Sequence, residues 1–217
     1  RQFCKRPCFH DEYLKTYNLP NVHLVNTDGR GVDEIKPNGV VFDGKLYEVD
    51  CIIFATGFEV GTDYSRRAGY NITGSNGLTI SQKWSEGLTT FHGMHVREFP
   101  NCFFFGPAQA GFTATYTFSL DENALHLAHI LGEMKKRGVN RVEASQKAES
   151  DWVQTIIDKA RLTENFQKAC TPGYYNNEGH VNVKPQNNFY GGGPIEFFNL
   201  TRKWRANNRL TGLELAE

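Results

Sequence analysis

The stretch Val49-Asp50-Cys51-Ile52-Ile53-Phe54-Ala55-Thr56-Gly57-Phe58 ("VDCIIFATGF") decides the fold. Its apolar run, Cys51 to Phe54, stops abruptly at three small residues, and an aromatic ring follows. An apolar run without polar alternation is the pattern of a strand covered on both faces, as in a parallel sheet flanked by helices. In such sheets ligands sit beyond the carboxyl ends of the strands. The small residues Ala55-Thr56-Gly57 leave two readings open at this point: a partner that approaches the backbone closely enough to exclude bulk, or a plain strand end with a glycine turn.

Working outward, the same pattern recurs at "CFFF" (Cys102–Phe105), which reads as a second buried strand ending at Gly106-Pro107. A loop follows, and then a helix between Thr117 and Arg137. Phe118, Leu120, Leu125, Leu127, Ala128, Leu131 and Met134 would line its apolar face. Asp121 and Glu122 stand in its first turns and Lys135, Lys136 and Arg137 in its last, which suits the helix dipole, with Gly138 as the stop. Strand, glycine loop and helix start is the arrangement in which a helix N-terminus meets an electron-rich ligand group. Upstream, "NVHLV" (Asn21–Val25) reads as a short strand. "GVVF" (Gly39–Phe42), the turn Asp43-Gly44 and "KLYEVD" (Lys45–Asp50) read as a hairpin. Residues 60–100 read as irregular with a short strand at Leu78–Ser81. A second helix is expected from Ala144 to Arg161 with Trp152, Val153, Ile156 and Ile157 inward, and a last one over Pro194–Arg205. The fold class is α/β.

Composition narrows the function. Lys+Arg and Asp+Glu are both 24 in 217 residues, so no net field gathers nucleic acid or anionic lipid. No apolar run approaches the roughly 20 residues of a membrane-spanning helix. The five cysteines, Cys4, Cys8, Cys51, Cys102 and Cys170, form no C-x-x-C pair and read as reduced thiols of a cytoplasmic protein rather than as disulfides or zinc ligands. The pairs His92/His95 and His126/His129 lack a third ligand at metal spacing, so no metal is expected. "YGGGP" (Tyr190–Pro194) lacks the GxGxxG spacing and reads as a loop. No G-x-S-x-G elbow occurs.

Three stretches, "CKRPCFHDEYLKTYNLPNVHLV" (Cys4–Val25), "VDCIIFATGF" and "CFFFGPAQAGFTATYTFSLDENALH", resemble in order and spacing the C-terminal half of the flavin-containing Baeyer–Villiger monooxygenases. The tail "CTPGYYNNEG…NFYGGGPIEFFNLTRKWR" resembles a subgroup of them. The resemblance runs from Cys4 to about Arg205. It implies part of a two-dinucleotide-domain (FAD/NADP, Rossmann-like) flavoprotein fold. Residues 1–54 would close the NADP-binding domain, and residues 55–217 would close the FAD-binding domain.

The resemblance also implies roles. The cofactors are FAD and NADPH, and the partners are a small-molecule ketone and O2. Arg6 of "KRP" would lie over the flavin as a permanent cation stabilising the anionic peroxyflavin. Lys5 would reach the 2′-phosphate of NADPH. Ala55, Thr56, Gly57 and Phe58 would form the crossover beside both cofactors. Gly106, Pro107, Phe112 and Thr113 would approach the flavin ring, with the helix start near Thr117 aimed at its pyrimidine edge. Two departures stand out: Glu59 follows "ATGF" where the family often has Asp, and "CTPGYYNNEG" lacks a Trp that many members place near the nicotinamide. Tyr174 or Tyr175 could substitute for that Trp.

The sequence contains no GxGxxG, although the resemblance implies one for each dinucleotide. It also opens at Arg1 without Met. The expectation is a C-terminal portion of a ketone-oxygenating enzyme, inactive by itself. The competing readings are an N- or S-oxygenating relative, which a fixed cation at Arg6 disfavours, and a non-catalytic interaction module.

Overall fold

The computed structural model describes residues 4–5, 8–161, 164–170, 173–177 and 184–217. A three-stranded antiparallel sheet comes first, with β1 (Glu34–Lys36), β2 (Gly39–Phe42) and β3 (Lys45–Glu48) in that spatial order. Asp43 (φ 50°) and Gly44 (φ 72°) both take left-handed conformations, which the tight β2–β3 turn demands, and the hairpin forms as the sequence foretold. Only Phe42 is buried among its apolar side chains, under the Arg30 guanidinium. Four short helices occupy other connections: α1 (Tyr13–Thr16), α2 (Tyr64–Ala68), α3 (Ile80–Lys83) and, further on, α6 (Glu164–Lys168).

The core lies beyond residue 80. It is built from α4 (Tyr116–Arg137), α5 (Gln146–Asp158), α7 (Pro194–Ala206) and the antiparallel pair β4 (Arg141–Ala144) and β5 (Leu213–Ala216). Phe91, Trp152, Ile156, Tyr190, Phe197 and Phe198 form one buried cluster. Ile130, Met134, Val142 and Leu210 form a second. Residues 60–100 are indeed mostly irregular, yet every residue from Phe91 to Val96 is buried, so this stretch is core wall rather than surface loop.

Several expectations need correction. "CIIFA" is no strand here, and Ile53 and Phe54 are exposed. Parallel strands exist only with neighbours, and none of the described residues pairs with this ribbon. "CFFF" contributes a single bridge, Phe103 to His95, and "NVHLV" forms no strand, for the same reason. Leu78–Ser81 begins a helix instead. Thr79 accepts from the Gln82 amide, and the Gln82 side chain accepts from the Thr79 N–H, a reciprocal capping box that Thr-x-x-Gln announces.

Helix α4 is where expected but turned about its axis. Its buried face is Ser119, Glu122, His126, Ile130, Glu133 and Met134, whereas Phe118, Leu125 and Leu131 are exposed. Glu122 faces inward because Arg202 and Arg205 of α7 both pair with it, the latter at 3.5 Å. Helix α7 matches expectation, but α5 is shorter than expected: Ala144 ends β4, and Ser145 caps the helix by accepting from the Ala148 N–H. Of the four residues expected inward, Trp152 and Ile156 are buried while Val153 and Ile157 are half-buried. The cysteine expectation is overturned. Cys4 and Cys170 form a disulfide across 166 residues of sequence, while Cys8, Cys51 and Cys102 take part in no disulfide. Sequence spacing gives no hint of this pair because only the fold brings the two Cα atoms to 5.0 Å.

Two glycines separate crowding from propensity. A Cβ at Gly191 would sit inside the Lys159 carbonyl oxygen, whereas Gly132, in the exposed middle of α4, has open space around that position. Gly191→Ala is expected to lower stability by about 1–3 kcal/mol. Gly132→Ala should raise it by about 0.5–1 kcal/mol. Urea unfolding of the two variants checks both signs.

Candidate functional site

The loop "GPAQAGFT" (Gly106–Thr113) is held from behind by one side chain. Gln109 is fully buried at φ 55°. Its Oε1 accepts from the Thr90 N–H (3.0 Å) and the Thr90 hydroxyl (2.6 Å). Its Nε2 donates to the carbonyls of Leu88 (2.8 Å) and Gln186 (2.9 Å). Its own carbonyl accepts from Trp152 Nε1 at 3.1 Å, and its N–H donates to Asn188 O at 2.9 Å. All the polar capacity of the side-chain amide is thus matched inside the core. Sequence reasoning passed over this residue. The available signal was a lone amide bracketed by Ala108, Ala110 and Gly111, where small neighbours leave room for loops to close on it.

With that anchor, the solvent side of the loop carries the expected residues. Gly106 has no atom near its Cβ position, and Pro107 closes a turn by accepting from the Ala110 N–H at 3.2 Å. Phe112 is half-buried, stacked on Phe189 (ring centroids 5.6 Å) with the edge of Tyr175 against it (5.9 Å). The Thr113 hydroxyl donates to Thr115 O at 2.6 Å, which turns the chain into α4.

Thr115, the N-cap of α4, makes no side-chain capping bond, and the first turn carries no acidic residue. Asp121 and Glu122 fall one turn later than the sequence suggested. The start of this 22-residue helix therefore keeps its partial positive charge, with Thr115, Tyr116 and Thr117 exposed.

Ala55, Thr56, Gly57 and Phe58 form an exposed ribbon. Gly57 has φ 87° and nothing within reach of a Cβ, so within this chain the glycine is required by its left-handed backbone rather than by crowding. Glu59, in the place of the family's Asp, pairs with Arg66 at 2.5 Å and accepts from the Thr62 hydroxyl at 3.2 Å. Just beyond the ribbon, the Gly61 N–H donates to Tyr174 O (3.1 Å), and the Tyr174 N–H donates to Cys4 O (3.3 Å). Lys5, next in the chain, is exposed. Arg6 lies outside the described residues. The tyrosine loop around Tyr174 and Tyr175 thus ties the segment of Cys4 and Lys5, the chain after Phe58 and the ring of Phe112 into one region.

Behind the site sit His92, His95 and His126, with His92 stacked on Phe91 and edge-on to Trp152 and Trp204, and His126 tilted against Trp204. Arg205 reaches His126 Nδ1 at 3.5 Å. Among the described residues no group of three or more His, Cys, Asp or Glu is arranged to hold a metal ion. Burial, reinforced by His126 and His95, pushes His92 well below the usual imidazole range. Burial alone brings His95 to about 3, and burial with His95, Arg205 and His129 nearby brings His126 to about 3. These rings are neutral packing groups.

In sequence and fold the chain corresponds to the C-terminal part of the flavin-containing Baeyer–Villiger monooxygenases. It is 48% identical, over its whole length, to the neopentalenolactone D synthase of Streptomyces avermitilis, of which it spans 37%. Over 99% of its length it is 44% identical to Baeyer-Villiger monooxygenase ATR8 of Stachybotrys chlorohalonatus, spanning 35% of that protein. Among solved structures, the polycyclic ketone monooxygenase of Thermothelomyces thermophila superposes with a TM-score of 0.85 at 34% identity, covering 100% of this chain and 36% of that one. The cyclohexanone monooxygenase of Rhodococcus sp. Phi1, bound to NADP+, gives 0.78 at 29%, covering 99% and 39%. The chain therefore spans a little over a third of the proteins it matches. No family model matches it.

Two outcomes test this architecture. Gln109→Ala strands the amide's partners in the core and is expected to destabilise by about 3 kcal/mol or more, read by chemical denaturation. The buried imidazoles set a pH dependence. In the unfolded chain they titrate near 6.5, whereas in the folded chain they refuse protons until far lower. As pH falls from about 6.5 toward 5, the unfolded state gains protons the native state does not, and stability drops by up to about 1.4 kcal/mol per unit per histidine. Urea midpoints measured across that window should fall steadily.

Proposed function

We propose that the protein of which this chain is part is an FAD- and NADPH-dependent monooxygenase that inserts one O2-derived oxygen next to a ketone carbonyl, giving an ester or lactone. The observation that carries the reading is the convergence of the Cys4–Lys5 segment, the chain after Phe58 and the tyrosine loop on Phe112, in the loop that leads to the uncapped start of α4. This geometry belongs to residues matched throughout by ketone-oxygenating relatives.

The residues present fit a flavin. The loop from Gly106 to Thr113 offers an open backbone at Gly106 and a half-buried aromatic at Phe112, and the start of α4 has neither an acidic side chain nor a capping hydroxyl of its own. Bound FAD supplies the hydride acceptor and oxygen-activating centre, and NADPH supplies the hydride. The chain's residues do the rest. The N-terminal dipole of α4 stabilises negative charge on an electron-rich ring edge. Arg6 supplies a non-titrating cation for charge developing on oxygen. Lys5, exposed and flexible, takes the 2′-phosphate and so favours NADPH over NADH. Ala55–Phe58 forms the passage between the two cofactor domains, residues 1–54 and 55–217. The near absence of buried apolar side chains before residue 58, against the dense core after residue 80, supports that division. Exposed Phe9, Ile53, Phe54 and Phe58 present the apolar surface such a division would cover. Tyr174 or Tyr175 takes the place of the family's nicotinamide-side Trp. No described helix is long and apolar enough to cross a membrane. A cytoplasmic location accords with dependence on NADPH and FAD.

In the protein from the complete reading frame, Arg6→Ala should still reduce its flavin with NADPH but lose ester formation by about 100-fold or more. Equal ester yields would remove Arg6 from the chemistry. Lys5→Ala should raise the KM for NADPH about tenfold or more and leave that for NADH unchanged. Steady-state kinetics with both nucleotides decides it.

A further inference from the structure

The disulfide between Cys4 and Cys170 is not part of the reaction described above, and the fold places it at a junction. Cys170 is buried and Cys4 half-buried. Cys4 O accepts from the Tyr174 N–H, and Tyr174 O accepts from the Gly61 N–H, so the crosslink continues into a run of backbone bonds. Asn176 closes the loop from within, its Nδ2 donating to Gln167 O (2.8 Å) and Cys170 O (3.0 Å). A Cβ at Gly61 would press into the Tyr175 backbone, so the tyrosine loop packs directly on the chain leaving the Ala55–Phe58 ribbon. Tyr175 then rests its edge on Phe112. Breaking the S–S bond frees the segment that leads into Lys5 from the loop that covers Phe112. Among the described residues no paired strand or long helix joins those two segments, and the Tyr174–Cys4 backbone bond lies beside the crosslink itself.

We propose that Cys4–Cys170 is a redox-operated latch that docks the tyrosine loop on the Phe112 face. Closed, it holds the Cys4–Lys5 segment, the Gly61 segment and the tyrosine loop together. Open, it releases the loop. The opening step is thiol–disulfide exchange with a dithiol reductant of the cytosolic type. One thiolate of the dithiol attacks the more accessible Sγ of Cys4, and Cys170 leaves as a thiolate that takes up a proton. The second thiol of the reductant then closes on the mixed disulfide and releases Cys4. Two electrons and two protons pass to the protein, and the reductant ends as its cyclic disulfide. A disulfide in a cytosolic protein is characteristically of this reversible, sensing kind. The functional consequence, which rests on the monooxygenase reading, is loss of coupling. With the loop released, NADPH is still consumed but less of the oxygen reaches substrate.

The test uses the protein from the complete reading frame, purified in air. Alkylation followed by non-reducing peptide mass spectrometry should find Cys4 crosslinked to Cys170, with Cys8, Cys51 and Cys102 alkylated. Alkylated Cys4 and Cys170, or a different pairing, overturns the proposal. Dithiothreitol added to the folded wild type should then speed hydrogen–deuterium exchange at Tyr174 and Gly61 at least tenfold while leaving α4 and α5 unchanged. Unchanged exchange at Tyr174 and Gly61 overturns it, as does a rise spread over the whole chain. Both readouts stand whether or not the protein oxidises a ketone, so failure of the monooxygenase reading is seen separately. With a ketone substrate, dithiothreitol should lower the ester formed per NADPH severalfold in wild type and have no effect in Cys170→Ser, which should show the low ratio from the start. A ratio that dithiothreitol changes equally in both proteins refutes the latch.

Discussion

The buried amide of Gln109 is the constraint on which the rest of the chain depends. Among the described residues the core has little regular sheet beyond the β4–β5 pair, so its loops are joined by side chains. Gln109 does this at a point where the segments around Leu88–Thr90, Gln186–Asn188 and the Trp152 helix meet. A neutral group with two donors and two acceptors can satisfy several backbone groups at once without burying a charge. Its left-handed backbone turns Ala110 and Gly111 inward and leaves Gly106, Pro107 and Phe112 on the open side.

A second polar seam, between α4 and α7, sets how the rest of the core packs. Glu122 would be expensive to bury alone, and the paired Arg202 and Arg205 make its burial tolerable. His126 follows Glu122 inward on the same face of α4, where Arg205 meets it. The result is a helix that packs a largely polar stripe inside and leaves Leu125 and Leu131 exposed on its outer face, as Ile53 and Phe54 are on the ribbon.

The candidate site is composite. Its parts come from residue 5, residues 55–61, residues 106–117 and residues 174–175. What joins them is a short series of backbone hydrogen bonds through Tyr174, a ring contact at Phe112 and one covalent bond. Such a site can be tight where it touches the Gln109-anchored loop and yielding where it touches the N-terminal segment.

Much of this was legible in the sequence. The Asp43-Gly44 hairpin, the helices at α4, α5 and α7, and the order of "KRP", "ATGF" and "GPAQAGFT" follow from local signals: turn chemistry, helical spacing, caps and motif identity. What local signals cannot encode is which neighbour an apolar segment finds. "CIIFA" has the composition of a buried strand, but burial is a property of partners, and none of the described residues supplies them. Likewise the inward face of α4 was decided by two arginines some 80 residues away, and the pairing of Cys4 with Cys170 by a fold that closes 166 residues of chain. Local patterns determined the hairpin and the long helices, and the motifs carried the resemblance. The tertiary structure alone decided the contacts, because a charge or a thiol acquires its role only from whatever the folded chain places within a few ångströms of it.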